Sequence, residues 1–247
     1  MAPKVSFVIP AHNEELLIGS TVLACNQAGR AIGGDFEIVV ACDGCTDRTD
    51  EIATAAGAKV THTTKRIIAG ARNAGAAVAT GELLIFVDAD TSPPPESVVE
   101  AVSAIRAGAV GGGAGVVLDG RVHFAAEVLL AVINRAFRMA RLTGGCFLFC
   151  TRPAFEAAGG WDETLLVSEE IAMAGALKKI GRFEIVRTPV ITSGRKLRTY
   201  SAWEFVKIFG IAIVRPNARR DRKHLDLWYG KRREDSFTGD CLPPQSK

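Results

Sequence analysis

GELLIFVDADTSPPP, residues 81–95, is the stretch on which the fold turns. Leu83 to Val87 are five consecutive apolar, strand-favouring residues with no polar position between them. A half-exposed strand would alternate, so this one is read as buried on both faces, the pattern of a central strand in a parallel sheet. It ends abruptly in Asp88-Ala89-Asp90 and then Pro93-Pro94-Pro95. In extended chain, residues two apart point the same way, so the two carboxylates converge. Paired charges beside an apolar strand must be solvated, paired or bound to a cation. Their hard oxygens suit Mg2+ or Mn2+, and such an ion could bridge to a diphosphate. The plainer alternative is an acidic pair ahead of the helix that follows the prolines.

Upstream, the pattern repeats. VSFVIP (5–10), FEIVVA (36–41) and AKVTH (58–62) read as strands. Residues 14–28 have helical spacing, with Leu16, Leu17, Val22 and Leu23 available as a buried stripe. Asp43-Gly44 marks a turn, Thr46 is placed to cap a helix running to about Ala56, and 68–79 is an Ala-rich helix. Strands alternating with helices predict an α/β fold, a mostly parallel sheet covered by helices on both faces. In such sheets ligands bind beyond the carboxyl ends of the strands. Three polar clusters fall there: Ala11-His12-Asn13-Glu14, Asp43, and Asp88-Ala89-Asp90. Asp43 could accept hydrogen bonds from a base or ribose, or serve only as a turn residue. Glu14 could do the same, or sit at a helix N-terminus.

Downstream, a helix is expected from the prolines to about Arg106. Gly108 to Gly115 lead into VVLDG, read as an edge strand; 123–140 as an amphipathic helix; GCFLFC (145–150) as a strand; 168–180 as a helix; 183–192 as a strand pair; 201–214 as a helix with a wide apolar face. Glu169-Glu170 open the 168–180 helix. They are either a pair at the positive helix end or contain a general base. Glu170 lies nearer the Met173/Ala174/Leu177 stripe. The run Ser193-Gly194-Arg195-Lys196-Leu197-Arg198 joins a flexible glycine to clustered cations, suited to closing over phosphates.

The chain of 247 residues, 48% hydrophobic and 23% charged, fits one globular α/β domain. No secretory signal is read at its start, and no apolar run is long enough to span a membrane. Cys42 and Cys45 form a CxxC, but the six cysteines show no zinc-ligand spacing and are expected to be reduced, as in the cytoplasm. The net charge is +3, yet 195–233 carries +9 and the remainder −6. That basic segment could meet phosphates or an anionic membrane surface, or remain a solvated tail.

Four segments resemble the family-2 glycosyltransferases, which have the GT-A fold, a Rossmann-like nucleotide-diphospho-sugar transferase architecture. They are VSFVIPAHNEE; VVACDGCTDRT, with Cys45 where serine is usual; AGARNAGAAVATGELLIFVDAD; and GGCFLFCTRPAFEAAGGWDETLLVSEEIAMAGALKKIGRFEIV. The resemblance spans roughly residues 4 to 200. It implies that Pro10, Ala11, Glu14 and Asp43 hold the nucleoside of a nucleotide-sugar donor. Arg72 and Ala89 also fall on the donor side. Asp88 and Asp90 are placed at Mn2+ or Mg2+ and the diphosphate, with Arg195 and Lys196 gripping the diphosphate. Glu170 falls where the family has the Asp of a Glu-Asp pair and would be the base of an inverting transfer. Trp161 and Glu169 would line the acceptor site, and His224 could be a further metal ligand. The Gln-x-x-Arg-Trp motif of processive synthases is absent.

The implied organisation is a single domain, with a donor half (1–92), an acceptor half (93–200) and a C-terminal helix and basic tail (201–247). Expected partners are a UDP-sugar or GDP-mannose and a saccharide or lipid-linked acceptor, with no nucleic acid. Peripheral membrane contact through 201–233 and a homodimer remain open. The rival readings are a sugar nucleotidyltransferase, disfavoured because PAHNEE stands where a Gly-rich basic loop belongs, and an inactive binding scaffold.

Overall fold

The computed structural model describes residues 4–120, 124–195 and 199, with the backbone alone at 124–130 and 133. The first half runs β1 (Val5–Ala11), α1 (Ile18–Ala31), β2 (Phe36–Asp43), α2 (Thr49–Ala55), β3 (Lys59–Thr63), α3 (Ile68–Val78) and β4 (Leu83–Val87). Then come β5 (Thr91–Ser92), α4 (Pro95–Arg106), β6 (Gly111–Leu118), α5 (Phe124–Ala140), β7 (Phe147–Thr151), α6 (Arg152–Ala157), α7 (Glu169–Ile180) and β8 (Phe183–Thr192). All eight strands form one sheet in the order β3-β2-β1-β4-β7-β6-β8-β5. The block β3-β2-β1-β4 is parallel. β7 runs antiparallel to both its neighbours, and β6 and β8 are parallel.

β4 is fully buried along its length, as its unbroken apolar run requires. Leu83, Ile85 and Val87 join the core on the face of α1 and α4, with Ile18, Val22, Val98 and Ala101. Leu84 and Phe86 join the opposite core, under α3, α6 and α7, with Ala69, Ala76, Phe155 and Leu177. Each such side chain contributes roughly 1.5–3 kcal/mol by leaving water. α1 and α2 cover one face and α3 the other, so the chain changes faces between β3 and β4. The crevice this opens lies between the carboxyl ends of β1 and β4, where an open α/β sheet takes its ligand.

Several elements differ from the sequence expectation. α1 starts at Ile18, four residues late, and its phase buries Ile18, Thr21, Val22 and Cys25. Leu16 is 85% exposed and Leu23 52%, so neither belongs to the buried stripe. α2 starts at Thr49 because Asp47, and not Thr46, meets its first turn: Asp47 accepts from the Thr49 amide (3.1 Å) and hydroxyl (2.5 Å). The Gly-rich stretch opens β6, where Gly111, Gly112 and Gly113 pair with β7 as well as with β8, whereas Val116, Val117 and Leu118 of VVLDG pair with β8 alone. The glycines allow the close approach, since a Cβ at Gly112 would run into the Phe149 ring and the Glu184 carbonyl. The expected pair over 183–192 is one long strand, β8, that pairs with β6 and then with β5. The two-residue β5 and the short α6 carry too little periodicity to be read from sequence.

Candidate functional site

The loops after β1 and β2 are stitched together at the rim. Asn13, in the left-handed region at φ 52°, accepts from the Thr46 amide at 2.8 Å. The Glu14 amide donates to the Thr49 hydroxyl (2.8 Å) and the Glu15 amide to Asp47 (3.1 Å). His12 Nδ1 lies 2.8 Å from the Asp43 carbonyl. The Asp43 carboxylate accepts from the amides of Arg66 (2.7 Å) and Ile67 (2.8 Å), tying the start of α3 to the pocket floor. A carboxylate has about four acceptor positions, so these two bonds do not exhaust it. Pro10 and Ala11 end β1, and Ala11 is buried.

Asp88-Ala89-Asp90 crosses the crevice from β4 with its backbone locked on three sides. The Asp88 carbonyl accepts from the Thr91 amide (3.0 Å), the Ala89 carbonyl from the Thr21 hydroxyl (2.8 Å), and the Asp90 carbonyl from the Ser193 amide (2.9 Å). Ala89 is buried in the core on the α1 face. It lies in the turn between β4 and β5. Asp90 lies 3.7 Å from the Arg195 guanidinium, which also reaches the buried Glu14 at 3.2 Å. The loop after β8 is thus brought across to the loop after β1, as a basic phosphate-closing loop requires.

Arg72 is not on the donor surface. It is 2% exposed and sits beneath the rim, where Nη2 donates to Asp88 (2.8 Å) and to the Gly145 carbonyl (3.0 Å), and Nη1 to Glu169 (2.8 Å). Its guanidinium stacks 4.4 Å from the centroid of the Trp161 ring. Trp161 is itself 2% exposed and packs edge-on to Phe86. Trp161 is a buried platform for Arg72, and Glu169 is a buried partner of Arg72. The physical reason is that a buried guanidinium needs anionic and aromatic company.

Glu170 is what that network presents. It follows Ser168, a non-glycine residue held at φ 65° just before α7, a conformation that carries strain. It lies against Gly145, where a Cβ would press on its carboxyl carbon at 3.4 Å. Burial, with the Glu169 charge alongside, pushes its carboxyl up to about 8, against the pull of Arg72. A carboxyl tuned to near neutrality beside a rim of carboxylates and cations is suited to taking a proton from a hydroxyl.

Among the described residues no group of three or more His, Cys, Asp or Glu could hold a metal ion unaided. Asp88 and Asp90 nonetheless fit a hard divalent cation, which commonly binds through one or two carboxylates and completes its shell from substrate phosphates and water. Sequence reading missed Thr21 and Asp47, whose parts depend on partners in other segments. Lys196, His224 and the 201–233 segment, with the expectations resting on them, lie outside the described residues. No described helix is long and apolar enough to cross a membrane.

A family model described as glycosyl transferase family 2 matches residues 6–151. A probable glycosyltransferase, YdaM, from Bacillus subtilis is 30% identical over 231 residues, covering 81% of this chain and 53% of its own. An undecaprenyl-phosphate 4-deoxy-4-formamido-L-arabinose transferase from Pectobacterium carotovorum is 38% identical over 108 residues, 38% of this chain and 31% of its own. The matched part of the chain thus spans 31% to 53% of the length of these curated relatives. Among solved structures, the mannosyltransferase PcManGT from Pyrobaculum calidifontis, in complex with GDP-Man and Mn2+, superposes with a TM-score of 0.67 at 21% identity, over 93% of this chain and 68% of that one. Glucosyl-3-phosphoglycerate synthase from Mycobacterium tuberculosis, with Mn2+, UDP and glucosyl-3-phosphoglycerate, gives 0.58 at 20% identity, over 88% and 80%. These likenesses place the sheet among GT-A folds.

Proposed function

The chain belongs to glycosyl transferase family 2, and on that premise we propose that it transfers a sugar from a nucleoside-diphosphate sugar to an acceptor hydroxyl with inversion. The donor is a UDP-sugar or GDP-mannose, and the acceptor a saccharide or a lipid-linked group. The observation that carries the reading is the meeting of Asp88, Asp90, Glu14, Arg195 and Glu170 around the β1/β4 crevice. Pro10, Ala11, Glu14 and Asp43 frame the nucleoside, with residues 1–92 as the donor half and 93–200 as the acceptor half. Asp88 and Asp90 would hold Mn2+ or Mg2+, which when bound would supply neutralising charge for the diphosphate leaving group. Arg195 leaves its carboxylate partners for the same phosphates, with Lys196 beside it.

Glu170 takes the acceptor proton as the hydroxyl attacks the anomeric carbon. Arg72 fixes Asp88 and Glu169 relative to each other, so the metal side and the base side of the site keep one geometry. No covalent intermediate is needed. The name of the Pectobacterium relative supports the lipid-linked class of acceptor.

Titration calorimetry with UDP and GDP, with and without Mn2+, tests the reading. Binding is expected to depend on the metal and to be lost in Asp90→Ala. Equal binding by that variant, or no binding of either nucleotide to the parent, would overturn it.

A further inference from the structure

The CxxC around the β2 turn has no part in the transfer just described. Cys42 is the penultimate residue of β2 and is buried, 1% exposed. Gly44, in the left-handed region at φ 63°, turns the chain back on itself. Cys45 then packs, partly exposed, against the core that contains Cys42. As a thiol, Cys45 donates to the Ala11 carbonyl at 3.5 Å, bridging the β2 turn to the loop after β1. The Cys42 thiol, and next the Asn13 amide, draw its acidity down to about 7, against burial and the nearby Asp47 charge. Thr49 also faces it, and Asp47 and Asp50 face Cys42. Cys25, Cys146 and Cys150 are buried, free, and pushed up by desolvation. The pair thus combines a partly exposed, activated sulfur with a second sulfur three residues back across a tight turn, the CxxC arrangement of a redox-active dithiol.

We propose that Cys45 and Cys42 form a peroxide-responsive thiol switch beneath the nucleoside loop. The Cys45 thiolate attacks one oxygen of a hydroperoxide. The O–O bond breaks, water or an alcohol leaves after protonation, and Cys45 becomes a sulfenic acid: sulfur loses two electrons and the peroxide gains them. The Cys42 sulfur then attacks the Cys45 sulfur. Hydroxide departs, takes the Cys42 proton and leaves as water, and the disulfide remains. A dithiol reverses it by exchange. The bond strips Cys45 of its contacts to Ala11 and Asn13, so the loop that frames the nucleoside loses an anchor. The last consequence rests on the proposed function; the thiol chemistry does not.

The test treats the full chain with hydrogen peroxide and follows it by intact mass and peptide mapping, then measures UDP or GDP binding in Mn2+ before and after. The expected result is loss of two hydrogens in a Cys42–Cys45 cross-linked peptide and at least tenfold weaker nucleotide binding, reversed by dithiothreitol. Cys45→Ser is expected to abolish the cross-link. Cys42→Ser is expected to leave a Cys45 sulfenic acid that a 1,3-dione captures. Oxidation of Cys25, Cys146 or Cys150 as fast as Cys45, over-oxidation of Cys45 without a cross-link, or a cross-link that leaves binding unchanged would each overturn the switch. Absence of nucleotide binding to the reduced chain would count against the transferase reading and leave the mapping result standing.

Discussion

Replacing Glu170 by glutamine should stabilise this protein, and increasingly so as pH rises. Folding lifts the Glu170 carboxyl from the ordinary 4.5 to about 8, mainly by burial and next by the charge of Glu169. Between those values the native state holds a proton that the unfolded chain has released, so stability falls as pH rises through this window. The full penalty, reached above the folded value, is roughly 3.5 units at 1.36 kcal/mol each, about 5 kcal/mol. Glutamine keeps the shape and does not titrate. The stability gap between Glu170→Gln and the parent should therefore widen by about 4 kcal/mol from about pH 5 to about pH 9. For a domain of this size that is a difference of roughly 10 °C in melting temperature. Thermal melts of both proteins across that range, at fixed salt and without nucleotide, provide the measurement. A gap that stays flat, or narrows with pH, would refute the claim that Glu170 is held protonated by its surroundings. The same variant should keep Mn2+-dependent nucleotide binding and lose transfer by 10² or more, the scale of a general-base contribution.

Two further substitutions probe the neighbours of that acid. Arg72→Met removes the cation from beneath Asp88 and Glu169, leaving Glu169 buried without its charge partner. A loss of about 3–5 kcal/mol in urea unfolding is expected, and an unchanged midpoint would show that Arg72 does not compensate those acids. Arg195→Ala should also lower the stability read by urea unfolding, because it leaves the buried Glu14 carboxylate without its guanidinium partner. It should weaken nucleoside diphosphate binding in the presence of Mn2+ by tenfold or more; normal affinity would remove Arg195 from the phosphate site.

The sequence by itself determined the alternation of strands and helices, the depth of β4 and the rim position of Asp88 and Asp90. Those follow from local facts: an unbroken apolar run cannot be half-exposed, and charges placed at its end cannot follow it inside. It also pointed to Glu170 over Glu169, through the helical spacing to Met173 and Leu177. Tertiary structure decided what depends on partners far along the chain. Arg72 reads only as a residue of the donor-side helix; Asp88, Glu169 and Trp161, up to 97 residues away, are what bury it as a cation. The contacts that Trp161 and Glu169 make with that guanidinium are equally invisible in the sequence. The glycines that open β6 read as a loose run until Phe149 is seen to need their missing side chains. Periodicity reports which way a side chain leaves the backbone; only the packed neighbours decide what it meets there.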